Sequence, residues 1–151
     1  MYREDAHEDR SLLIVADGGA IVALRREDGV VAWRHHFTVN TFLGPVRVMG
    51  PAEIAFAAGR VYMVSADRMV CFDYRSGTIV AQMALAPSAG RSTLLIEGEV
   101  VFLTTQTETV ALTLDGKLSW RRAHAMHLDG HGAAMGLPGH VRPSDYVGSS
   151  G

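Results

Sequence analysis

Arg60-Val61-Tyr62-Met63-Val64, followed by Ser76-Gly77, has a counterpart on each side. Upstream lie Ser11-Leu12-Leu13-Ile14-Val15, Asp28-Gly29 and Trp33; downstream lie Glu99-Val100-Val101-Phe102-Leu103, Asp115-Gly116 and Trp120. The register holds, because Gly59 precedes Gly77 by the interval that separates Gly98 from Gly116, and the same step back from Gly29 lands on Ser11. The turn glycines are 48 and 39 residues apart. That period suits a four-stranded propeller blade of roughly 40 to 50 residues and is long for a leucine-rich or β-helical coil.

Within each copy, short β-branched, aromatic and aliphatic runs are broken by turn signals, as at residues 12–15, 20–24 and 30–33 with Asp17-Gly18-Gly19 and Asp28-Gly29 between them. Such Asp-Gly and Ser-Gly pairs suit tight turns, so each copy reads as a meander of hairpins. No long stretch has a helical period. Copies two and three carry a further run, Glu53-Ile54-Ala55-Phe56-Ala57 and Ser92-Thr93-Leu94-Leu95-Ile96, which makes four strands per unit. Copy one has in that place Arg3, Glu4, Asp5, Glu8, Asp9 and Arg10, a composition for a solvated arm, so blade one is expected to lack a strand. The organisation is then a charged arm at 1–10, repeats at about 11–37, 53–85 and 92–124, and a Gly/Pro-containing tail at 125–151. In the tail, residues 125–128 and 133–137 are the most strand-like and read as the opening of an incomplete fourth blade, or as a strand exchanged between copies.

The expected fold is all-β, a partial β-propeller of about three four-stranded blades. Closed propellers need about four to eight blades, so the ring is expected to be completed by oligomerisation, as a dimer or trimer. The alternative is a small antiparallel β-sandwich or open barrel built from the same hairpins.

The pattern Ala23-x5-Gly29-x3-Trp33 resembles the repeat of the pyrroloquinoline-quinone-type β-propellers, which runs alanine, aspartate two later, threonine-glycine, then tryptophan four after the glycine. The resemblance covers about residues 11–122. Arg25 and Thr113 stand where that repeat has aspartate, the third copy is one residue shorter between Ala111 and Gly116, and the middle copy has Cys71 for alanine and Ala81 for tryptophan. Asp73 and Ser76-Gly77 fit it. The resemblance implies that Trp33 and Trp120 pack between neighbouring blades, with Gly29, Gly77 and Gly116 as structural turn positions. It is nearer to the non-enzymatic assembly-factor branch than to the dehydrogenases, whose calcium-bound quinone site has no recognisable counterpart here.

Composition sets the remaining expectations. A chain of 151 residues, 48% apolar and 20% charged, is an ordinary globular domain, and a net charge of −2 gives no general pull toward nucleic acid. No apolar run reaches membrane-spanning length and no secretory leader is visible, so the expected setting is cytoplasmic, without membrane contact. Cys71, alone of its type and flanked by Val70 and Phe72, reads as a small buried hydrophobe. No phosphate loop, nucleophile elbow, zinc-protease helix or paired-cysteine site occurs, and no catalytic residue, cofactor or metal is assigned. His124, His127 and His131 are the weak metal candidates, since Gly130 and Gly132 argue against the helix that would gather them. Arg34 and His35 after Trp33, and Arg121 and Arg122 after Trp120, recur at equivalent blade ends and are candidates for binding an acidic partner or for guarding an outer strand. Asn40 and Phe42 in the insertion at 38–50 are further contact candidates.

Function then reads as a non-catalytic scaffold or protein-interaction module, partnered by itself and by another protein. The alternatives are a quinone- or metal-dependent enzyme completed in the oligomer, and a propeller binding a small ligand or carbohydrate.

Overall fold

The computed structural model describes residues 8–48, 50–65, 67–86, 92–124 and 134–139. All regular structure among them is antiparallel β-sheet. Blade one is three-stranded: β1 (Leu12–Asp17), β2 (Ala20–Arg25) and β3 (Val31–His36). A two-stranded hairpin follows, β4 (Thr38–Thr41) and β5 (Gly44–Arg47). Blade two is β6 (Glu53–Ala57), β7 (Arg60–Ser65), β8 (Arg68–Asp73) and β9 (Ile79–Ala84). Blade three is β10 (Thr93–Glu97), β11 (Val100–Thr104), β12 (Glu108–Thr113) and β13 (Leu118–Ala123). Consecutive strands pair in every sheet, the meander of a propeller blade.

The repeat holds to the residue. Rows of directly paired side chains run Ile14–Ala23–Trp33, Ala55–Tyr62–Cys71–Ala81 and Leu95–Phe102–Ala111–Trp120. Each sheet has its register shift immediately after the middle residue of that row, at Ala23/Leu24, Cys71/Phe72 and Ala111/Leu112. The same bulge in all three blades re-aims the last strand identically.

Alternation of side chains along β7 and β8 explains why blade two reads as nearly continuous apolar sequence. Val61, Met63, Val70 and Phe72 enter one core with Ile14, Ile21, Ala23 and Trp33 of blade one. Tyr62, Val64, Met69 and Cys71 enter a second core with Leu94, Val101, Leu103, Val110 and Leu112 of blade three. Blade two is thus buried on both faces, whereas Leu13, Val15 and Val31 of blade one and Trp120 of blade three are exposed.

In the insertion at 38–50 the structure forms a hairpin rather than an irregular loop. Its base is held by Phe37 N–H to Gly19 C=O at 2.9 Å and Val48 N–H to Phe37 C=O at 3.1 Å, with Phe37 and Val48 buried. Thr41 Oγ1 donates to Gly44 C=O at 2.6 Å and accepts from Leu43 N–H at 3.2 Å, closing the tip. The strand expected at 133–137 is absent over its described part, 134–137. Gly136 has no side chain to pack there and Pro138 has no N–H for a ladder. The expected strand at 125–128 lies outside the described residues.

Candidate interaction surfaces

The junctions between blades show what one sheet requires of the next. Trp33, 8% exposed, lies against the β8–β9 turn of blade two: its Nε1–H donates to Tyr74 C=O at 2.9 Å, and its ring stacks on Phe72 at 5.5 Å. A Cβ on Gly77 would stand 2.4 Å from Trp33 Cδ2, so the indole occupies the space that glycine leaves. At the next junction Ala81 holds the tryptophan's place, and a Cβ on Gly116 would stand 2.7 Å from Ala81 Cβ. Tyr62 fills the remaining volume, fully buried, and its hydroxyl donates to Leu114 C=O. Burial pushes the Tyr62 phenol up to about 12, which keeps it a donor.

Trp33 therefore packs between blades as the resemblance implies. Trp120 does not: it is 44% exposed, on the face of blade three away from blade two, with Phe102 at 6.3 Å between ring centroids. Around Gly29 nothing lies within 4 Å of the Cβ direction. Of the turn glycines, Gly77 and Gly116 receive a neighbouring blade and Gly29 does not.

The four cationic candidates at the blade ends are spread over different faces by strand alternation. His35 points into the first junction, its Nε2 2.6 Å from Gly77 C=O and its ring against Phe72 at 5.2 Å. Arg34 projects to the opposite, exposed face of blade one. Arg121 turns toward blade two and clasps the buried Glu108 through Nε and Nη2, both at 2.9 Å, while Nη2 also reaches Ala84 C=O at 3.4 Å. Glu108 in turn accepts from Ala86 N–H at 2.9 Å. The Arg121 hydrogen bonds chiefly, against the effect of burial, hold the Glu108 carboxyl below the usual glutamate range. Arg122 is exposed on the far face, with Trp120. These side chains form no single basic patch, a dispersal that follows from period-two alternation.

Asn40 is exposed on the β4–β5 hairpin, and Phe42 and Leu43 at its tip are 95% and 82% exposed. Two adjacent large apolar residues thus stand in water at a tethered tip. Of the histidine candidates only His124 is described; Nε2 lies 2.9 Å from Thr109 Oγ1 and the backbone N–H donates to Thr107 C=O. His127 and His131 lie outside the described residues. Among the described residues no group of three or more His, Cys, Asp or Glu is placed to hold a metal ion.

Sequence reading missed one feature, a cleft of about 850 Å³ beside the start of β1. Arg10, Arg26, Arg60 and Arg75 line it above an apolar floor that includes Phe56. Asp9 offsets Arg75 at 2.7 Å, Glu8 lies 3.8 Å from Arg10 and Asp115 3.4 Å from Arg60, and bonds from Ser11 and Arg75 draw the Asp9 carboxyl down to about 2. These arginines are dispersed in sequence, Arg10 before β1 and the others at or beside turns, so no local motif announces them.

The architecture is that of known propellers. BamB from Moraxella catarrhalis is similar at 17% identity and a TM-score of 0.51, over 74% of this chain and 33% of that one. A europium-containing methanol dehydrogenase is similar at 15% identity and a TM-score of 0.53, over 74% and 22%. The quinohemoprotein alcohol dehydrogenase ADHIIG from Pseudomonas putida HK5 is similar at 15% identity and a TM-score of 0.50, over 75% and 19%. The chain spans about a third or less of each. No curated protein sequence matches it. At these identities the likeness concerns the fold alone: a partial propeller of PQQ-type blades. With residues 4–127 matched, the chain belongs to the family described as outer membrane protein assembly factor BamB.

Proposed function

We propose that the chain is a non-catalytic propeller module that self-associates and presents its rim to another protein. The observation that carries this reading is the pair of unlike end faces. Apolar Leu13, Val15 and Val31 stand exposed at one end and Trp120 at the other, while blade two is buried on both sides. Exposed sheet faces of this kind favour association over solvation. The family's description as an assembly factor supports a scaffolding role, and the Phe42–Leu43 tip supplies a surface for a protein partner. Light scattering coupled to size exclusion, over a range of concentrations, tests the self-association: a mass of two or three chains is expected, and a single-chain mass throughout removes it. Quinone absorbance or stoichiometric divalent metal in purified protein would instead favour the enzymatic alternative.

The arginine-lined cleft favours a second reading, a site for a small anionic ligand with an apolar body. A thermal-shift panel of aromatic carboxylates against their neutral amides tests it; equal shifts for the two sets would sink it.

A further inference from the structure

We propose that the chain docks head to tail on a second copy, Trp120 of one copy seating on the Gly29 turn of the other as Trp33 seats on Gly77 inside the chain. This rests on the self-association proposed above and adds its geometry.

The interface is already present within the molecule. In strand register Trp33 and Trp120 are equivalent, each paired with the alanine of its row, Ala23 and Ala111. Gly29 and Gly77 are equivalent as acceptors: both have φ of +76°, and their N–H groups close matching turns, onto Arg25 C=O at 2.7 Å and Asp73 C=O at 2.9 Å. The first junction satisfies one tryptophan and one glycine turn; among the described residues Trp120, 44% exposed at the edge of a row whose Leu95 and Ala111 are buried, and Gly29 have no such contact.

The apolar rows match as well. At the internal junctions the receiving blade offers Val61–Phe72–Ile79 and Met63–Val70–Gln82, or Val101–Leu112–Leu118 and Leu103–Val110–Arg121. Blade one offers Leu13–Leu24–Val31 and Val15–Val22–Arg34 in the same register, on its open face. Leu13, Val15 and Val31 there are 56%, 49% and 40% exposed. Arg34 stands where Arg121 stands, and Arg121 reaches the carbonyl of Ala84 at the end of the preceding blade. In the head-to-tail contact Arg34 would meet the corresponding carbonyl, that of Ala123. By the same equivalence, the Trp120 indole N–H would donate to the carbonyl of Arg26, as Trp33 does to that of Tyr74.

A second copy is the occupant these observations favour, because the free faces are the two unlike halves of one interface already repeated inside the chain. Such a contact is heterologous and either closes into a ring or runs on. The three described blades taken twice make six, within the range of closed propellers.

The test is sedimentation equilibrium of the full chain, of Trp120→Ala, of Gly29→Ala, and of the two variants mixed. Inside the chain a Cβ at Gly29 touches nothing, so its effect on association reads the partner. Each variant alone is expected to raise the dissociation constant about 30-fold or more, the threshold of an interface hot spot. The mixture is expected to recover a dimer with one intact contact, weaker than wild type and tighter than either variant. If wild type stays a single copy at every concentration, both this docking and the self-association fall, as they would if the missing blades belonged to another partner. Wild-type association that neither variant alters leaves self-association standing and overturns the docking alone. Loss in the variants without recovery on mixing would mean like faces meeting like, which also overturns it. Should Gly29→Ala fail to fold, Leu13→Lys on the same face replaces it. With Trp33→Phe leaving Trp120 as sole fluorophore, emission is expected to shift to the blue as concentration rises.

Discussion

Alanine at each of the three turn glycines separates backbone strain from packing at the blade junctions. All three have φ between +76° and +82°, a conformation that costs an L-residue about 1–2 kcal/mol. They differ in what the new methyl meets. At Gly29 it meets nothing; at Gly116 it meets the Ala81 methyl at 2.7 Å; at Gly77 it meets Trp33 at 2.4, 2.5 and 2.8 Å. Trp33 is fixed by its bond to Tyr74 and its stacking on Phe72, so it has little room to retreat. Overpacking of this kind adds about 1–3 kcal/mol. The expected costs are thus about 1–2 kcal/mol for Gly29→Ala and about 2–5 kcal/mol for both Gly77→Ala and Gly116→Ala, since the Ala81 methyl is fixed to its strand. At about 2–4 °C per kcal/mol for a chain of this size, Gly77→Ala should melt roughly 4–20 °C below the parent.

Urea denaturation followed by circular dichroism measures the series, in a Trp120→Ala background so that docking between copies contributes nothing. A double-mutant cycle adds Trp33→Ala to Gly77→Ala, and a coupling energy of at least about 1 kcal/mol is expected as the overlap is relieved. Equal losses at Gly29 and Gly77, with no coupling to Trp33, would refute the packing argument and leave only a turn effect.

Trp33→Ala should cost about 3–5 kcal/mol by thermal melt and Trp120→Ala under about 1 kcal/mol in a dilute single copy; comparable losses would contradict their different burial. Glu108→Gln should cost about 2 kcal/mol at pH 7, less than a fully buried pair because Arg121 is 40% exposed. Because its folded carboxyl is held below the usual glutamate range, the Glu108 contribution is complete above the unfolded pKa and disappears as pH falls through the lower folded one, so urea midpoints against pH should be flatter in that acid range for the variant; parallel curves would count against it. The Cys71 thiol is buried and pushed up by burial, so an aromatic disulfide should leave it unreacted at pH 8 until the chain unfolds; prompt stoichiometric labelling would contradict the core placement. Tyr62→Phe leaves the Leu114 carbonyl without its donor and should cost about 1–3 kcal/mol; an unchanged melting temperature would remove that bond from the account.

Blade period and turn positions were legible because each is written locally, in spacing between glycines and in Asp-Gly or Ser-Gly pairs; of the charged arm expected in place of a first strand, residues 1–7 lie outside the described residues. Hairpin β4–β5 was not, since Thr38 to Thr41 lacks a run of apolar alternation and is ordered by tethers to Gly19 and Phe37. The fate of the cationic pairs was hidden for a different reason. Adjacent residues on a strand face opposite ways, and only the packing of neighbouring blades shows that His35 and Arg121 lie in junctions while Arg34 and Arg122 are exposed. The cleft arginines converge from the segment before β1 and from three turns, and carry no spacing signal.

Substitution in the middle repeat is matched by a substitution in the same row. At the first junction a small aliphatic residue, Ile14, accompanies Trp33, and the indole N–H supplies the bond to the carbonyl following β8. At the second, Ala81 removes the indole, but Tyr62 stands in the place of Ile14, restores the bulk, and sends its hydroxyl to the equivalent carbonyl following β12. At each junction an aromatic polar group, the Trp33 indole or the Tyr62 hydroxyl, bonds this same carbonyl of the next blade, whichever strand supplies it. Departure from the repeat at Ala81 is therefore a change of route within a kept interaction, which consensus matching at one column cannot detect. The outer row of blade three, Phe102 beside Trp120, has the indole and no hydroxyl, so it belongs with the first junction rather than the second. In the proposed docking its N–H would find the carbonyl of the blade-one turn, as the Trp33 indole finds that of Tyr74.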